Sequence, residues 1–339
     1  MTYDLRSVYL AEGYSEEDTA EFDREETVDA IASTLHDLGH QVDRIGHARQ
    51  LAQRVTAGDR WDLVFNFCEG LHGLGREAQV PCILDVYQIP YTFSDPLTLC
   101  VCLDKSVAKC IVRSAGVATP DYAVVRDFQD LERVAMRYPA FAKPLAEGTG
   151  KGVSAASRVE NETQLREVCE QLLCRFRQPV LIEEYLPGRE FTVGIVGTGE
   201  HAEPLGTMEI LLLPQADPGA YSYLNKENWK HVVEYRYLQP TDDPLIADVH
   251  DCALRAWRAL GCRDGGRVDI RCNQEGRPEF IEANPLAGLH PDHSDLPLLC
   301  TAFKLSFRYL IARILESAMQ RVPSTLARAD SSHAHHCPA

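Results

Sequence analysis

No uninterrupted apolar run of about 18 residues occurs in this sequence, so no membrane-spanning helix is expected. The opening, MTYDLRSVYLAEGYSEED, has no basic segment followed by an apolar core. It does not read as a secretory signal, and a cytoplasmic location is expected. Positive charge is scarce: 34 Lys and Arg stand against 50 Asp and Glu, a net charge of −16. That balance argues against nucleic acid or an anionic membrane as the main partner. A GxxxxGK[ST] loop is missing, which excludes phosphate binding of the Walker type. Cysteine is not scarce, with twelve in the chain, but Cys100-x-Cys102 and Cys110 have no second cysteine pair or paired histidine to complete a metal site. The others, among them Cys68, Cys82, Cys169 and Cys252, are scattered, mostly within apolar patterns, and read as reduced thiols.

What is present is a chain of 339 residues, enough for two or three modules. Residues 7–12 read as a strand. From Glu25 the apolar positions Val28, Ile31, Ala32, Leu35 and Leu38 recur at helical spacing, and Gly39 ends the helix. Residues 41–45 and 61–66 read as further strands, which makes an open α/β sheet. Ligands of such sheets bind beyond the carboxyl ends of the strands, where Asn66, Glu69, Gly70, His72 and Gly73 stand. A helix is expected from Asp104-Lys105 through Ala115, ended by Gly116, and another over 245–260, ended by Gly261. A last helix is expected over 301–319. The tail holds His333, His335, His336 and Cys337 and reads as a disordered terminus.

Residues 265–297 carry the strongest pattern. Val268, Ile270 and Cys272 alternate with Arg267, Asp269 and Arg271; Gln274-Glu275-Gly276 is a turn; the return strand is 279–283. Such a hairpin brings Asp269 near Glu282 and Asn284. Two carboxylates and an amide oxygen are hard donors that suit Mg²⁺. Arg267 lies two residues before Asp269 and shares its face, where a cation can neutralise charge on a transferring phosphoryl group. Upstream, the strand Phe141-Ala-Lys143-Pro144 leads into Glu147-Gly148-Thr149-Gly150-Lys151-Gly152, and backbone N–H groups of Gly-rich turns form anion-binding concavities.

Arg267-Val-Asp269-Ile, Glu282-Ala-Asn284, Gly288 and Ser294 together resemble the C-terminal signature of ATP-grasp ligases, in the D-alanine–D-alanine ligase branch. The resemblance implies an α/β, ATP-grasp fold of three modules. These are an N-terminal open parallel sheet for substrate (1–95), a central lid module (96–182) and a C-terminal module with the metal site (183–322), followed by a tail (323–339). It implies ATP as cofactor, with two Mg²⁺ or Mn²⁺ on Asp269, Glu282 and Asn284. Lys105, Lys143 and Lys226 would contact phosphates, and the loop Glu147, Gly148, Gly150, Lys151, Gly152 would close over them. The main chain of Glu183, Glu184, Tyr185 and Leu186 would read adenine, and Glu190 would bind ribose. Arg267, Thr149, Tyr223, Ser294 and Glu26 are the implied catalytic residues, with Glu25 as the alternative to Glu26.

The implied reaction is ATP-dependent activation of a small amino-acid carboxylate as an acyl phosphate, followed by amide formation. Substrates would be small amino acids or amino-carboxylates, and a homodimer is one assembly the resemblance allows. Two departures bear on substrate. Glu12-Gly13-Tyr14-Ser15 replaces the usual Gly-Gly-x-Ser, and Pro285-Leu-Ala-Gly288 replaces Pro-Gly-x-Thr. They point to weak or no use of two D-alanines. A ligase that joins or cyclises other substrates, and a nucleotide-binding regulator without turnover, are the competing readings.

Overall fold

The computed structural model describes residues 1–216 and 229–322. Tyr223, Lys226 and the tail with His333, His335, His336 and Cys337 lie outside the described residues. Among those described, no helix is long and apolar enough to cross a membrane.

The first region comprises β1 (Thr2–Tyr3), α1 (Arg6–Ala11), α2 (Glu25–Asp37), α3 (Ala48–Ala57), β2 (Asn66–Phe67) and α4 (Gln79–Val86). β1 and β2 pair in parallel, and single parallel bridges join Thr2 to Gly46, Leu5 to Asp23 and Val64 to Tyr91. The expected parallel layer is therefore present but short. Residues 7–12 are not its first strand; they form α1. Strand pairing ends at Leu5, where the Arg6 N–H bonds the Asp23 carbonyl, and a short apolar run beyond it fits a helix as well as a strand. Residues 41–45 form no ladder. α2 forms as expected and buries Val28, Ile31, Ala32 and Leu35.

Next come α5 (Pro96–Leu103), α6 (Lys105–Ser114), β3 (Tyr122–Val125), β4 (Ala140–Pro144), β5 (Arg158–Val159), α7 (Glu162–Phe176) and β6 (Val180–Glu184). The four strands make an antiparallel sheet in the order β3-β6-β4-β5. Leu165, Cys169 and Leu172 of α7 bury its face through Val125, Ala140, Ala142 and Ile182. β6 runs past residue 182, the expected edge of the central module. α5 and α6 do not join this core. Their Cys102, Ala108 and Val112 pack with the sheet that follows. The Asp104 carboxylate caps α6 by accepting from the Ser106 and Val107 N–H groups, which fixes where Lys105 emerges.

That sheet is built from β7 (Glu190–Val196), β8 (Glu203–Leu212), β9 (Val233–Leu238), β10 (Gly265–Cys272) and β11 (Pro278–Asn284). It is antiparallel, in the order β11-β10-β7-β8-β9. Between β8 and β9 the short α8 (Trp229–Val232) is present, and α9 (Leu245–Leu260) follows β9. α9 buries Trp257 completely against one face of the sheet. The single helix expected over 301–319 is two, α10 (Asp295–Ala302) and α11 (Phe307–Met319). Lys304 takes a left-handed conformation (φ 59°) and the Ser306 hydroxyl caps α11 by accepting from Tyr309 N–H, which breaks the run.

α10 and α11 share one core with the N-terminal region, joining Leu310, Ile314 and Leu296 to Ile31, Phe65 and Phe93. A buried carboxylate ties the same parts together. Asp264 is fully buried and accepts from Phe93 N–H (2.7 Å), Ser317 Oγ (2.7 Å) and Thr198 Oγ1 (3.2 Å), and it pairs with Arg321 (2.7 Å). Removing it leaves Phe93 N–H without an acceptor and the Arg321 guanidinium without its counter-charge. Asp264→Ala should lower unfolding stability by about 3–5 kcal/mol, read as a lower denaturant midpoint. A midpoint equal to that of the parent chain would show that this knot does not hold the regions together.

Candidate active site

The hairpin β10–β11 sets the centre. Its register places Asp269 opposite Glu282 and Arg267 opposite Asn284. Gly276 in the connecting turn has φ 77°, which an L side chain adopts only with strain. The register slips between Asp269 and Ile270, so Ile281 is an extra residue in β11. Such a bulge re-aims neighbouring side chains. Two carboxylates thus stand side by side. Arg267 bonds Asp269 at 2.5 and 2.8 Å and reaches Asp295 at 3.3 Å. Thr192 Oγ1 donates to Asp269 (2.8 Å), and the Asn284 amide lies 3.4 Å from it. Burial works against the charge on Arg267, but Asp269, Asp295 and Glu282 outweigh it and hold the guanidinium more firmly protonated than usual.

Lysines approach from the other side. Lys105 Nζ lies 3.6 Å from Glu282 and donates to the Glu147 carbonyl (2.6 Å). Lys143 Nζ lies 3.7 Å from Glu282 and 2.9 Å from Glu183. Glu183 also meets the fully buried Lys109 at 2.5 Å. Burial alone would raise the Glu183 carboxyl, but Lys109 and Lys143 overcome it and hold it below the ordinary 4.5. Burial brings Lys109 down to about 8, whereas for Lys143 the two glutamates outweigh burial and raise it.

Two cavities meet here. One is lined by Phe141, Glu184, Tyr185, Leu186, Glu190 and Ile210 beside these charges. Tyr185 is flanked by the guanidinium groups of Arg158 (4.6 Å) and Arg271 (5.1 Å), and Arg271 pairs with Glu190 (3.2 Å). The other holds about 400 Å³ and is lined by residues 20–24, Thr27, Glu69, Glu77 and the loop from Pro285 to Ser294. Lys105, Glu147, Arg267 and Glu282 line both.

The Gly-rich loop roofs this junction. Lys151 Nζ contacts Glu21 (3.3 Å) and Glu147 (3.5 Å); Arg76 reaches Glu21 (3.4 Å) and the Ala146 carbonyl (3.0 Å). A Cβ on Gly148 would sit 2.0 Å from Glu21 Oε1, so a side chain there would displace the Glu21 carboxylate.

Of the residues singled out in the sequence, Lys105, Lys143, Glu147, Gly148, Thr149, Gly150, Lys151, Glu183, Glu184, Tyr185, Leu186, Glu190, Arg267, Asp269, Glu282, Asn284 and Ser294 line one or both cavities. Gly152 stands just beside, packed on Pro144 and Phe176. Glu25 and Glu26 are exposed in the first turn of α2 and line neither cavity, nor do residues 12–15. The acids that do line the N-terminal side are Glu21, Asp23, Glu69 and Glu77, of which the sequence singled out Glu69 alone. Lys109 was also missed. Its position one turn after Lys105 on an amphipathic helix was the available signal. The donor set of Asp269, Glu282 and Asn284 suits Mg²⁺, since facing carboxylates need a cation between or beside them and are here met by three basic side chains.

Comparison with known proteins was consistent along the chain. The family described as “D-ala D-ala ligase C-terminus” matches residues 111–316. The D-alanine–D-alanine ligase of Bordetella petrii is 33% identical, with 81% of each chain covered. That of Aquifex aeolicus is 31% identical over 92% of this chain and 100% of its own. The crystal structure of the Bacillus anthracis D-alanine–D-alanine ligase complexed with ATP superposes with a TM-score of 0.69 at 21% identity, covering 94% of this chain and 96% of that one.

The Lys109–Glu183–Lys143 cluster generates a test. Because the Glu183 carboxyl is depressed below 4.5 in the folded chain, its stabilisation is complete above that pH and is lost as the pH falls beneath it. Glu183→Gln would leave two buried lysines without their shared counter-charge. It should cost about 3–5 kcal/mol at neutral pH and flatten the loss of stability in acid. Denaturant midpoints across the acid range test both; an acid limb as steep as the parent's would reject the assignment.

Proposed function

The chain belongs to the D-alanine–D-alanine ligase family of ATP-grasp enzymes, and from that premise we propose that it activates the carboxylate of one small amino acid and joins it to the amine of another. A carboxylate is a poor electrophile. Its oxygen attacks the γ-phosphorus of ATP, the bond to the β-phosphate oxygen breaks, and ADP leaves an acyl phosphate. The neutral amine of the second amino acid attacks the acyl carbon, phosphate departs, and the nitrogen sheds a proton.

The observation that carries this reading is the shared wall of the two cavities. Lys105, Glu147, Arg267 and Glu282 face both, so a nucleotide in one and an amino acid in the other would meet among them. Adenine would lie along the main chain of Glu183–Leu186 beside Tyr185, with Glu190 at the ribose. Lys105, Lys143, Lys226 and the loop Glu147 to Gly152 would hold phosphates. Asp269, Glu282 and Asn284 would hold Mg²⁺, which supplies charge neutralisation on phosphoryl oxygens. In the state described, Lys105 and Lys143 rest against Glu282, and Arg267 against Asp269 and Asp295; ligands would redistribute these contacts. Thr149, Tyr223 and Ser294 complete the proposed catalytic set; Glu26, exposed and outside both cavities, is left out of it. Ser294 now accepts from His290 N–H (3.0 Å), which shapes the loop over the substrate cavity. A cytoplasmic location and small amino-acid partners belong to this reading, as does the three-module division at residues 95, 182 and 322.

D-Alanine is named in the relatives and is the reference substrate. The loop Pro285-Leu-Ala-Gly288 lines the substrate cavity in a form unlike Pro-Gly-x-Thr, which supports a pair other than two D-alanines.

The test is ADP release that depends on added amino acid, with a product whose mass is the sum of the two substrates less one water. ADP release without any such dependence would sink the proposal. Arg267→Ala should lower kcat by about 10²–10³, because it serves charge that develops in transfer. Asp269→Asn should abolish most turnover while the chain still folds, read as a retained cooperative thermal transition. Product formation at the parent rate by the second variant would overturn the metal assignment.

A further inference from the structure

Arg267, Asp269 and Arg271 share one face of β10, each about 6.8 Å beyond the one before. The first two have places in the reading above, at the transferring phosphoryl and at the metal. Arg271 has none. It lines the nucleotide cavity, and its side chain is only 18% exposed. A guanidinium does not give up its proton, so a charge this far buried requires an acid. Two carboxylates stand opposite it in register, Glu279 on β11 and Glu190 on β7. Glu279 accepts from the Asn273 amide (2.9 Å), whereas Glu190 forms the ion pair with Arg271 (3.2 Å).

The same guanidinium reaches the other sheet. It donates to the Tyr185 hydroxyl (3.2 Å), and its carbon stands 5.1 Å from the centre of that ring. Tyr185 follows β6 directly and belongs to the segment whose main chain would meet adenine. Its N–H donates to the Pro139 carbonyl (3.1 Å), which anchors it on the four-stranded side. One side chain therefore joins Tyr185, just past the end of β6, to Glu190, at the start of β7. The turn between them rests on β10 as well: Gly188 N–H donates to the Cys272 carbonyl (3.0 Å), and a Cβ on Gly188 would stand 2.6 Å from that oxygen.

We propose that Arg271 is a positioning residue for the nucleotide sugar. It fixes the Glu190 carboxylate, and the Tyr185 segment beside it, where the ribose 2′- and 3′-hydroxyls arrive, and so favours a ribonucleotide over a deoxyribonucleotide. This rests on the nucleotide placement in the ligase reading above, with Glu190 at the ribose. A carboxylate has about four acceptor sites, so it can keep Arg271 and still accept from two hydroxyls. Without Arg271 the nucleotide itself has to order the glutamate side chain, which costs affinity.

The experiment titrates ATP, 2′-deoxy-ATP and 3′-deoxy-ATP, each with Mg²⁺, into the protein by calorimetry without amino acids. The parent should bind ATP at least about tenfold more tightly than either deoxy form, the worth of about one hydrogen bond to a charged group. Arg271→Met should weaken ATP by about tenfold and the deoxy forms by much less, so that the preference narrows. Arg271→Lys keeps the charge without both contacts and should fall between. In amino-acid-dependent ADP release the loss should appear in the nucleotide KM, with kcat within about twofold of the parent. An unchanged preference for ATP in the variants, each with a cooperative thermal transition, would overturn the assignment. So would tighter ATP binding by Arg271→Met, which would make Arg271 an obstacle to the ribose. A parent that binds all three nucleotides equally would overturn it too and leave the ligase reading intact. ATP binding with the expected preference but no ADP release on any amino acid would sink the ligase reading and support the role of Arg271.

Discussion

Two carboxylates set side by side, Asp269 opposite Glu282, impose the constraint on which the rest of the site depends. Neither can be left half-buried without a cation. Arg267 answers Asp269 from its own strand, while Lys105 and Lys143 come to Glu282 from α6 and β4. Those lysines need holding in turn. The Asp104 cap fixes the start of α6, and Glu183, one strand over from Lys143, binds Lys143 and Lys109 at once. The four-stranded and five-stranded sheets are thereby connected by charge rather than by a continuous apolar core, since their cores are separate. Charge contacts of this kind can exchange partners for a phosphate or a metal ion without disturbing packing, whereas packed side chains resist displacement.

The readable part of the chain was the part where local rules and tertiary demand agree. The hairpin alternation and its Gly276 turn placed Asp269, Glu282 and Asn284 together, and the structure has that register. The helix over residues 245–260 follows from a single apolar stripe and a glycine stop, and it begins and ends there. Failures occur where a short segment has no pattern of its own. Residues 7–12 alternate weakly and fold as helix, because the pairing edge is used up by residue 5. The split near Ser306 depends on one left-handed lysine and one serine cap, which an apolar periodicity does not reveal. Asp264 contacts residues more than 50 positions away in both directions, at Phe93, Thr198 and Arg321, so nothing beside it in the chain announces its role.

The same distinction explains the site. Lys143 and the glycine loop after it, like Arg267 with Asp269, are neighbours in sequence and were legible as groups. Glu21 is 130 residues from Lys151, and only the fold shows that it, rather than Glu25 or Glu26, closes the loop from the N-terminal side. The exposed first turn of α2 explains the earlier preference: acids there suit a helix start whether or not they meet a ligand.

The two halves of the cleft now differ in a way that separates chemistry from selection. Around Asp269 and Glu282 the acids are already paired with Arg267, Lys105 and Lys143, and a ligand arriving there exchanges these contacts for its own without rebuilding the packing. In the other half Asp23, Glu69 and Glu77 line the cavity without an ion pair among the described residues, with Arg76 in the field of Glu69 and Glu77. A change there would alter which amino acid is held without touching the groups that neutralise the transferring phosphoryl. An ATP-grasp scaffold can in this way keep one reaction while its substrate half diverges, because the two sets of charges share only the wall formed by Lys105, Glu147, Arg267 and Glu282.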